Sequence, residues 1–420
     1  MTASEPPPAP PAQHDAYVAL RHRNFRWYIL SLFTMTLGSQ LQAVVVGWQV
    51  YTITRDPLSL GLIGLAEALP FIAVSLPAGY VADRWNRRTV AVLALAVLAL
   101  CSVALLVLSA ADGMLARVGV TPIYAVIFAS GIARSLLQPA RQALGSELVP
   151  RHQLENAIAW RSSSWQTAAV AGPALGGLLY GFAGPVVSYA VDAALMVFAL
   201  VAMLIMRYTP GVRTIGRSPI VPDLLQGLKF VWGQPLILGA LSLDLFSVFL
   251  GGATALLPIF ASEILRVGPQ GLGILRAAPA VGAVAMGVFL AHRPPIARAG
   301  RALLVSVAVF AMAIIGFGLS TSFLWSLGLL GVSGMADNVS AVIRSTLLQL
   351  LTPSDMLGRV SAVNSIFIGS SNELGAFESG VAARLFGTVP AVVAGGIAAL
   401  AVVGLTARLV PTLRRLERIT

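Results

Sequence analysis

The chain has 420 residues, of which 57% are hydrophobic and only 11% are charged, whereas an average soluble domain is about 25% charged. This composition excludes an ordinary soluble protein and a disordered one, because both need a charged, solvated surface. Long continuous apolar runs also exclude a transmembrane β-barrel, whose strands alternate. The net charge of +11 lies mostly between the apolar runs, where membrane topology explains it better than nucleic-acid binding.

The N-terminal segment, residues 1–16, contains five prolines and is expected to form an extended or disordered tail. It has neither the basic n-region nor the apolar h-region of a secretory signal peptide. A basic stretch at residues 21–26 leads into the first apolar run. We therefore expect residues 1–26 to be a cytoplasmic tail.

Twelve apolar runs follow, each approaching or exceeding the roughly 20 residues of a membrane-spanning helix. They cover residues 27–53, 58–82, 89–111, 122–147, 158–181, 185–206, 236–262, 270–291, 301–319, 322–349, 359–383 and 388–410. This pattern predicts an all-α integral membrane protein with two six-helix bundles, 27–206 and 236–410. Residues 207–235 are predicted as a cytoplasmic central loop with an amphipathic segment on the membrane surface, and residues 411–420 as a basic cytoplasmic tail.

The basic residues predict the orientation of these helices. With the N-terminus inside, the loops and tails on that side hold nineteen Lys and Arg residues, against four on the other side. Cytoplasmic loops are enriched in Lys and Arg. We therefore expect both termini in the cytoplasm.

The two halves of the chain repeat each other. Ser130-Gly131 recurs as Ser333-Gly334 and Arg141 as Arg344, both 203 residues later, while Gly64 recurs as Gly273 at an offset of 209. A duplicated six-helix unit implies a pseudo-two-fold axis along the membrane normal. Transporters are built in this way, with the substrate site between the halves.

Ionisable residues inside the spans are the candidate functional groups, since a charge in hydrocarbon costs at least about 2.5 kcal/mol. These are Glu67, Arg134, Arg141, Asp192, Asp244, Arg276, Asp337, Arg344, Glu373 and Glu378. Glu67 recurs as Arg276, and Arg134 recurs as Asp337. Opposite charges can therefore approach across the axis and be separated by substrate or a proton, or they can be fixed ion pairs that hold helices together.

Helix 5 carries the small-residue pattern Gly172-Pro173-x-x-Gly176-Gly177. Small residues let helices approach closely, and the proline weakens the helix locally, so we expect a flexing element here. Cys101 is the single cysteine, which excludes a disulfide framework and a thiolate metal site.

The turn between helices 2 and 3 contains Gly79, Asp83, Arg84, Arg87 and Arg88. In these positions the chain resembles the major facilitator superfamily, whose signature is Gly-x-x-x-Asp-Arg-x-Gly-Arg-Arg/Lys. Asn86 stands where the signature has its second glycine, and Ser164 stands where the helix 5 antiporter signature has its upstream glycine. Residues 138–157 and 246–282 are similar to the branch that contains enterobactin exporters and macrolide efflux pumps.

The resemblance implies a secondary transporter of a bacterial inner membrane that exports a siderophore or an amphipathic drug by proton-coupled alternating access. Glu67, Asp337 or Glu373 is then the expected proton carrier. The turn above, together with Arg141 and Arg344, is expected to gate the cytoplasmic side, where Asp83 can meet Arg134 or Arg141. We expect no cofactor other than the proton gradient, and a monomer that contacts lipids, protons and a small substrate but no nucleic acid.

Other functions remain open at this stage. A transporter of lysophospholipid or another metabolite has the same fold, and a non-transporting sensor or assembly factor can keep it. An enzyme is disfavoured, because none of the four histidines lies well inside a helix and no nucleophile elbow or phosphate-binding loop is present.

Overall fold

The computed structural model describes residues 15–111, 113–208, 220–294, 296–353 and 356–416. Within these ranges the chain is helical and contains no strand. Residues 1–14 of the predicted tail, residues 209–219 of the predicted central loop and the last four residues lie outside the described part. The helices are α1 Arg23–Thr54, α2 Pro57–Arg84, α3 Arg87–Ala110, α4 Met114–Val118, α5 Thr121–Glu147, α6 Leu154–Ile205, α7 Ile220–Gly233, α8 Pro235–Leu250, α9 Leu257–Ile259, α10 Gly268–Ala291, α11 Ala299–Leu319, α12 Phe323–Leu351, α13 Leu357–Phe386, α14 Thr388–Leu409 and α15 Pro411–Arg414.

Ten segments of the described chain are long and apolar enough to cross a membrane. One of them contains α6, whose 52 residues bend at Gly184, where φ is +76°. At about 1.5 Å per residue, α6 is more than twice as long as the roughly 30 Å hydrocarbon core, so it crosses twice. The 30-residue α13 is long enough to cross, but its Arg, Asn and Glu side chains lower its hydropathy. These two additions bring the crossings to twelve, as the apolar pattern predicts.

The seventh crossing is broken, although the sequence predicts one helix over 236–262. The helix α8 ends at Leu250, and a 3-10 turn, Ala253–Leu256, leads into α9 and a π-helical turn, Phe260–Ile264. The cause is the pair Gly251-Gly252. A Cβ on Gly252 would lie 3.0 Å from the Ser379 hydroxyl and 3.1 Å from the Gly375 carbonyl oxygen, so α13 packs directly on the break.

Two side chains cap the helices next to the first two turns. Asp56 accepts a hydrogen bond from the Leu58 amide at 3.0 Å and starts α2. Asn86 accepts from the Arg88 amide at 2.9 Å and starts α3. Asn86 replaces the glycine of the superfamily signature, and the structure gives it the role of an N-cap, for which Asn is among the preferred residues.

Each half has packed core clusters of its own, one further cluster is shared by both halves, and two helix pairs make the most extensive contact between the halves. In the first half α1 packs along α6, and α5 packs against α2 and α3; in the second half α12 packs against α10 and α11. Across the halves, α2 packs on α13 and α6 packs on α10. We call the end of the molecule where α1 begins and α14 ends the terminal face, and the opposite end the distal face.

The distal face is closed. A Cβ on Gly177 of α6 would lie 2.7 Å from the Gly273 Cα of α10, so these two backbones touch. Two polar contacts join the halves at the same end. The Tyr51 hydroxyl donates to the Glu263 carboxylate, and Arg384 pairs with Asp56 at 3.3 Å.

Candidate functional site

A polar cavity of about 320 Å³ lies between the two halves. Its size falls at the lower end of the range for small-molecule sites, roughly 300–1,000 Å³. The helices α1, α2, α5 and α6 line it from the first half, and α10 and α13 line it from the second. The charged side chains that line it are Glu67, Arg134, Arg141, Arg276 and Glu373.

A chain of hydrogen bonds runs from the cavity into the core of the first half. Arg134 donates through Nη1 to Glu67 Oε1 at 2.7 Å and through Nη2 to Gln42 Oε1 at 3.1 Å. Gln42 then donates through Nε2 to Asp192 Oδ2 at 3.0 Å. Asp192 is fully buried, and its Oδ1 has no hydrogen-bond partner among the described residues. Gln42 and Arg134 therefore connect Asp192 to the cavity.

Glu67 also meets Glu373 across the boundary between the halves. The two carboxyl groups line the same cavity and are near enough for their charges to interact. Two carboxylates so close repel each other, and a proton on one of them relieves that repulsion. Arg276 lies close enough to interact with both groups. The pseudo-symmetric residues Glu67 and Arg276 are thus brought into one cavity.

The second pseudo-symmetric pair is not brought together. Arg134 is bonded to Glu67, whereas Asp337 borders a void of about 10 Å³ beside Asp244 in the second half. There Arg344 Nη1 lies 2.5 Å from Asp244 Oδ2, and 8% of each side chain is exposed. The expected approach of Arg134 to Asp337 is therefore wrong for this conformation. Arg134 instead pairs with Glu67 within the first half, and Arg344 pairs with Asp244 within the second.

The turn between α2 and α3 binds within the first half. Arg87 donates to the Glu147 carboxylate at the end of α5. Arg88 donates to the Leu204 carbonyl oxygen at 2.6 Å, at the end of α6. Arg84 is exposed at the end of α2. Gly79 and Asp83 belong to the last turns of α2, but the placement of their side chains lies outside the described part of the structure.

Arg141 and Arg344, which are expected to gate the cytoplasmic side together with this turn, lie inside helices, as their positions in the apolar runs predict. Arg344 belongs to α12 and is held by Asp244. Arg141 belongs to α5, and its Nη1 lies 3.9 Å from the Met35 sulfur. In the described structure each of these two arginines contacts a residue of its own half.

The glycines of the pattern Gly172-Pro173-x-x-Gly176-Gly177, which lies in the first part of α6, allow close contact with α1. A Cβ on Gly172 would lie 2.6 Å from Gln40 Cβ, and one on Gly176 would lie 2.8 Å from the Leu41 carbonyl oxygen. Pro173 is buried in a stretch of α6 that keeps helical dihedral angles, and the bend of α6 is at Gly184. The expected flexing at Pro173 is therefore not seen in this conformation.

The sequence alone does not single out several residues that contribute to the site and its surroundings. Trp165 lines the cavity with 46% of its surface exposed, Ser102 contacts Gln42 at 3.4 Å, and Glu263 and Glu147 receive the contacts described above. A tryptophan in a spanning helix carries no signal that separates a cavity from lipid. Glu147 does carry one, since a carboxylate at a helix C-terminus opposes the helix dipole and needs a cationic partner.

Comparison with known sequences shows the family of the chain and two of its relatives. A family profile described as transmembrane secretion effector matches residues 14–418. The enterobactin exporter EntS of Escherichia coli O139:H28 (strain E24377A / ETEC) is 28% identical over 347 residues, which are 81% of each chain. The enterobactin exporter of Shigella boydii serotype 18 has the same identity and coverage.

Solved structures share the fold at low sequence identity. A POT family transporter in complex with 5-aminolevulinic acid has a TM-score of 0.71 and 11% identity, covering 93% of this chain and 96% of that chain. A bacterial homolog of the human lysosomal transporter Spinster, in an inward-facing and unoccupied conformation, has a TM-score of 0.68 and 16% identity, covering 96% and 98%. These likenesses confirm the predicted fold class of two six-helix bundles.

Proposed function

This chain belongs to the transmembrane secretion effector family of the major facilitator superfamily, and from that premise we propose that it exports a siderophore of the enterobactin type across a bacterial inner membrane, driven by protons. Its relatives are transporters and not enzymes. The observation that carries the proposal is the carboxyl pair Glu67–Glu373, which lies in a cavity between two halves that are joined at the distal face.

The proposed coupling follows from where the two carboxyl groups are attached. Glu67 is on α2 of the first half and Glu373 is on α13 of the second, so any movement that separates the halves also separates the carboxyl groups. While they are in contact, one proton is held between them. When the distal face is open, a proton taken up from the outside lets the two carboxyl groups meet again as that face closes. Release of this proton to the cytoplasmic cavity as substrate binds leaves two carboxylates whose repulsion favours separation, while Glu67 keeps its ion pair with Arg134. Binding and loss of the proton thus favour opposite conformations.

The proposed direction rests on the predicted orientation. If the terminal face is cytoplasmic, the described conformation is closed toward the outside and its cavity is open to cytoplasmic substrate. Arg141 and Trp165 line that cavity and lie nearer the terminal face than Glu67 does along their helices. Alternating access then carries the substrate outward as the distal contacts open.

Transport in inverted membrane vesicles tests this function. Acidifying the vesicle interior should drive accumulation of a catecholate siderophore in wild type, and a proton uncoupler should abolish it. Glu67→Gln and Glu373→Gln should each lower gradient-driven accumulation by at least about tenfold. Removing a group that transfers a proton typically slows the dependent step by that factor or more. Glu378→Gln is the matched control, since Glu378 lies on the same helix but borders a separate groove.

Two results would count against the proposal. If wild type accumulates no siderophore under the gradient, the siderophore assignment falls and a metabolite or lipid substrate takes its place. If Glu373→Gln accumulates the siderophore as wild type does, the function stands but the carboxyl pair is not the coupling site. A lipophilic cationic dye assayed in parallel separates siderophore export from multidrug efflux.

A further inference from the structure

The two halves differ at one pair of equivalent positions next to the cavity. Arg344 of the second half corresponds to Arg141 of the first at the offset of 203, and Asp244 corresponds to Met35 at the offset of 209. The contacts confirm this equivalence. Arg344 reaches Asp244, and Arg141 reaches Met35 at 3.9 Å from Nη1 to the sulfur. The first half therefore has the guanidinium but lacks the carboxylate that neutralises it in the second half.

A second guanidinium lies beside the first. Arg161 is near enough to Arg141 for their charges to interact, and it lies next to the Tyr28 hydroxyl. That hydroxyl donates to the Arg141 carbonyl oxygen at 3.1 Å, which holds the two elements together. Among the described residues no carboxylate forms an ion pair with Arg141 or Arg161. Two like charges in a partly desolvated position repel each other, so this arrangement favours a bound anion.

The cavity as a whole also carries more positive than negative side chains. Three guanidinium groups line it, against two carboxyl groups, so positive charge is in excess. Trp165, with 46% of its surface exposed, lines the same cavity as Arg141. An indole face is a stacking surface for a planar ring, and a guanidinium binds a planar anionic group through two parallel hydrogen bonds.

We propose that Arg141, Arg161 and Trp165 form a binding site for an aromatic anion, such as a ring that carries a carboxylate. The site rests on the proposed export function and names its substrate class. The anionic group binds the guanidinium of Arg141, Arg161 adds to the positive field, and the ring stacks on Trp165. The site discriminates against lipophilic cations, which the same guanidinium groups repel.

Binding to the purified full-length protein in lipid nanodiscs tests this site. The probe is 2,3-dihydroxybenzoate, with catechol as a neutral ring of similar shape and tetraphenylphosphonium as a cation. We expect wild type to bind the anion at least about tenfold more tightly than either control compound, because hydrogen bonds to a charged group carry that much affinity. Equal affinity for the anion and for catechol, or tighter binding of the cation, would overturn the proposal.

Two variants make the test specific to Arg141. Met35→Asp places in the first half the carboxylate that the second half has, so Arg141 should become paired and anion affinity should fall at least about tenfold. Arg141→Gln should give the same loss, and Met35→Leu, which keeps an apolar side chain of similar volume, should bind as wild type does. Thermal unfolding of each variant identifies misfolded protein. If folded Met35→Asp and Arg141→Gln both keep wild-type affinity, no anion binds at Arg141.

The binding assay tests the anion site and the vesicle assay tests the export function, so either proposal can be rejected while the other stands. Siderophore export that is unchanged in Met35→Asp and Arg141→Gln would overturn the anion site while leaving the proposed function intact. Binding of 2,3-dihydroxybenzoate that is lost in Met35→Asp, in a protein whose vesicles accumulate no siderophore, would support the anion site and reject the siderophore assignment.

Discussion

The ion pair between Asp244 and Arg344 shows how a single buried charge is accommodated in this chain. Both side chains are 8% exposed, and Arg344 also donates through Nε to the Ser340 hydroxyl at 3.3 Å. Removing one member of a buried pair leaves an unpaired charge and costs about 3–5 kcal/mol, whereas replacing both with apolar residues is often nearly neutral. The pair therefore contributes less stability than its short distance suggests.

We expect Asp244→Leu and Arg344→Leu each to lower the free energy of unfolding by about 3–5 kcal/mol. The double variant should recover most of that loss, because neither charge remains to be paired. Unfolding in mixed micelles, followed by circular dichroism, measures all three. A double variant as unstable as the sum of the two single variants would show that the residues do not act as a pair.

The sequence predicts the contacts of some buried charged residues and not of others. Depth in a helix marks Glu67 and Arg276 as candidates, and their equal positions in the repeat bring them into one cavity. The same argument fails for Arg134 and Asp337, because Arg134 finds Glu67 and Gln42 in its own half. A repeat relates positions, but the nearest available partner decides which contact forms.

At the scale of helices, close approach is set by glycine. The backbones of α6 and α10 touch at Gly177 and Gly273, and those of α2 and α13 touch at Gly61 and Gly380. Both crossings join the halves and both lie toward the distal face. Without a hydrophobic driving force in lipid, such packing provides much of the attraction between helices.

We expect Gly177→Ala to shift the molecule toward a conformation that is open at the distal face. The added Cβ would lie 2.7 Å from Gly273 Cα, so the closed crossing cannot form unchanged. A cysteine placed at Gln40 of the cavity, in a Cys101→Ser background, should then react several-fold faster with an impermeant maleimide added from the distal side. Gly404→Ala is the control, since nothing lies within 4 Å of its added Cβ and it gains the same helix propensity. Equal labelling rates in the two variants would refute this assignment.

The helix boundaries differ in whether local sequence signals are enough to predict them. The caps at Asp56 and Asn86 are local, since each side chain bonds an amide two residues later. The break after Leu250 is only partly local, because Gly251-Gly252 permits it and contact with α13 requires it. The polar α13 is stabilised by its neighbours α2 and α8, which no count of its own residues predicts.

For the whole molecule, the charge distribution predicts the orientation. Nineteen Lys and Arg residues lie in the loops and tails of the predicted cytoplasmic side, against four on the other side. In a bacterial host, a fluorescent protein fused after Thr420 should fluoresce, and alkaline phosphatase fused after Arg117 should be active, because these reporters mature in the cytoplasm and outside it, respectively. Phosphatase activity from a fusion after Thr420 would reverse the orientation, and with it the proposed direction of export.

The sequence by itself determined the class of the protein, the number of its spanning helices and the repeat that relates its halves. It could do so because span length and hydropathy are properties of one helix at a time, and a bilayer requires each helix to satisfy its own backbone. Only the tertiary structure decided that Glu67 meets Glu373, that Arg344 is neutralised by Asp244 and that Arg141 is not neutralised in the same way by Met35. Those contacts depend on the rotation and spacing of neighbouring helices, which the packing of all twelve sets together.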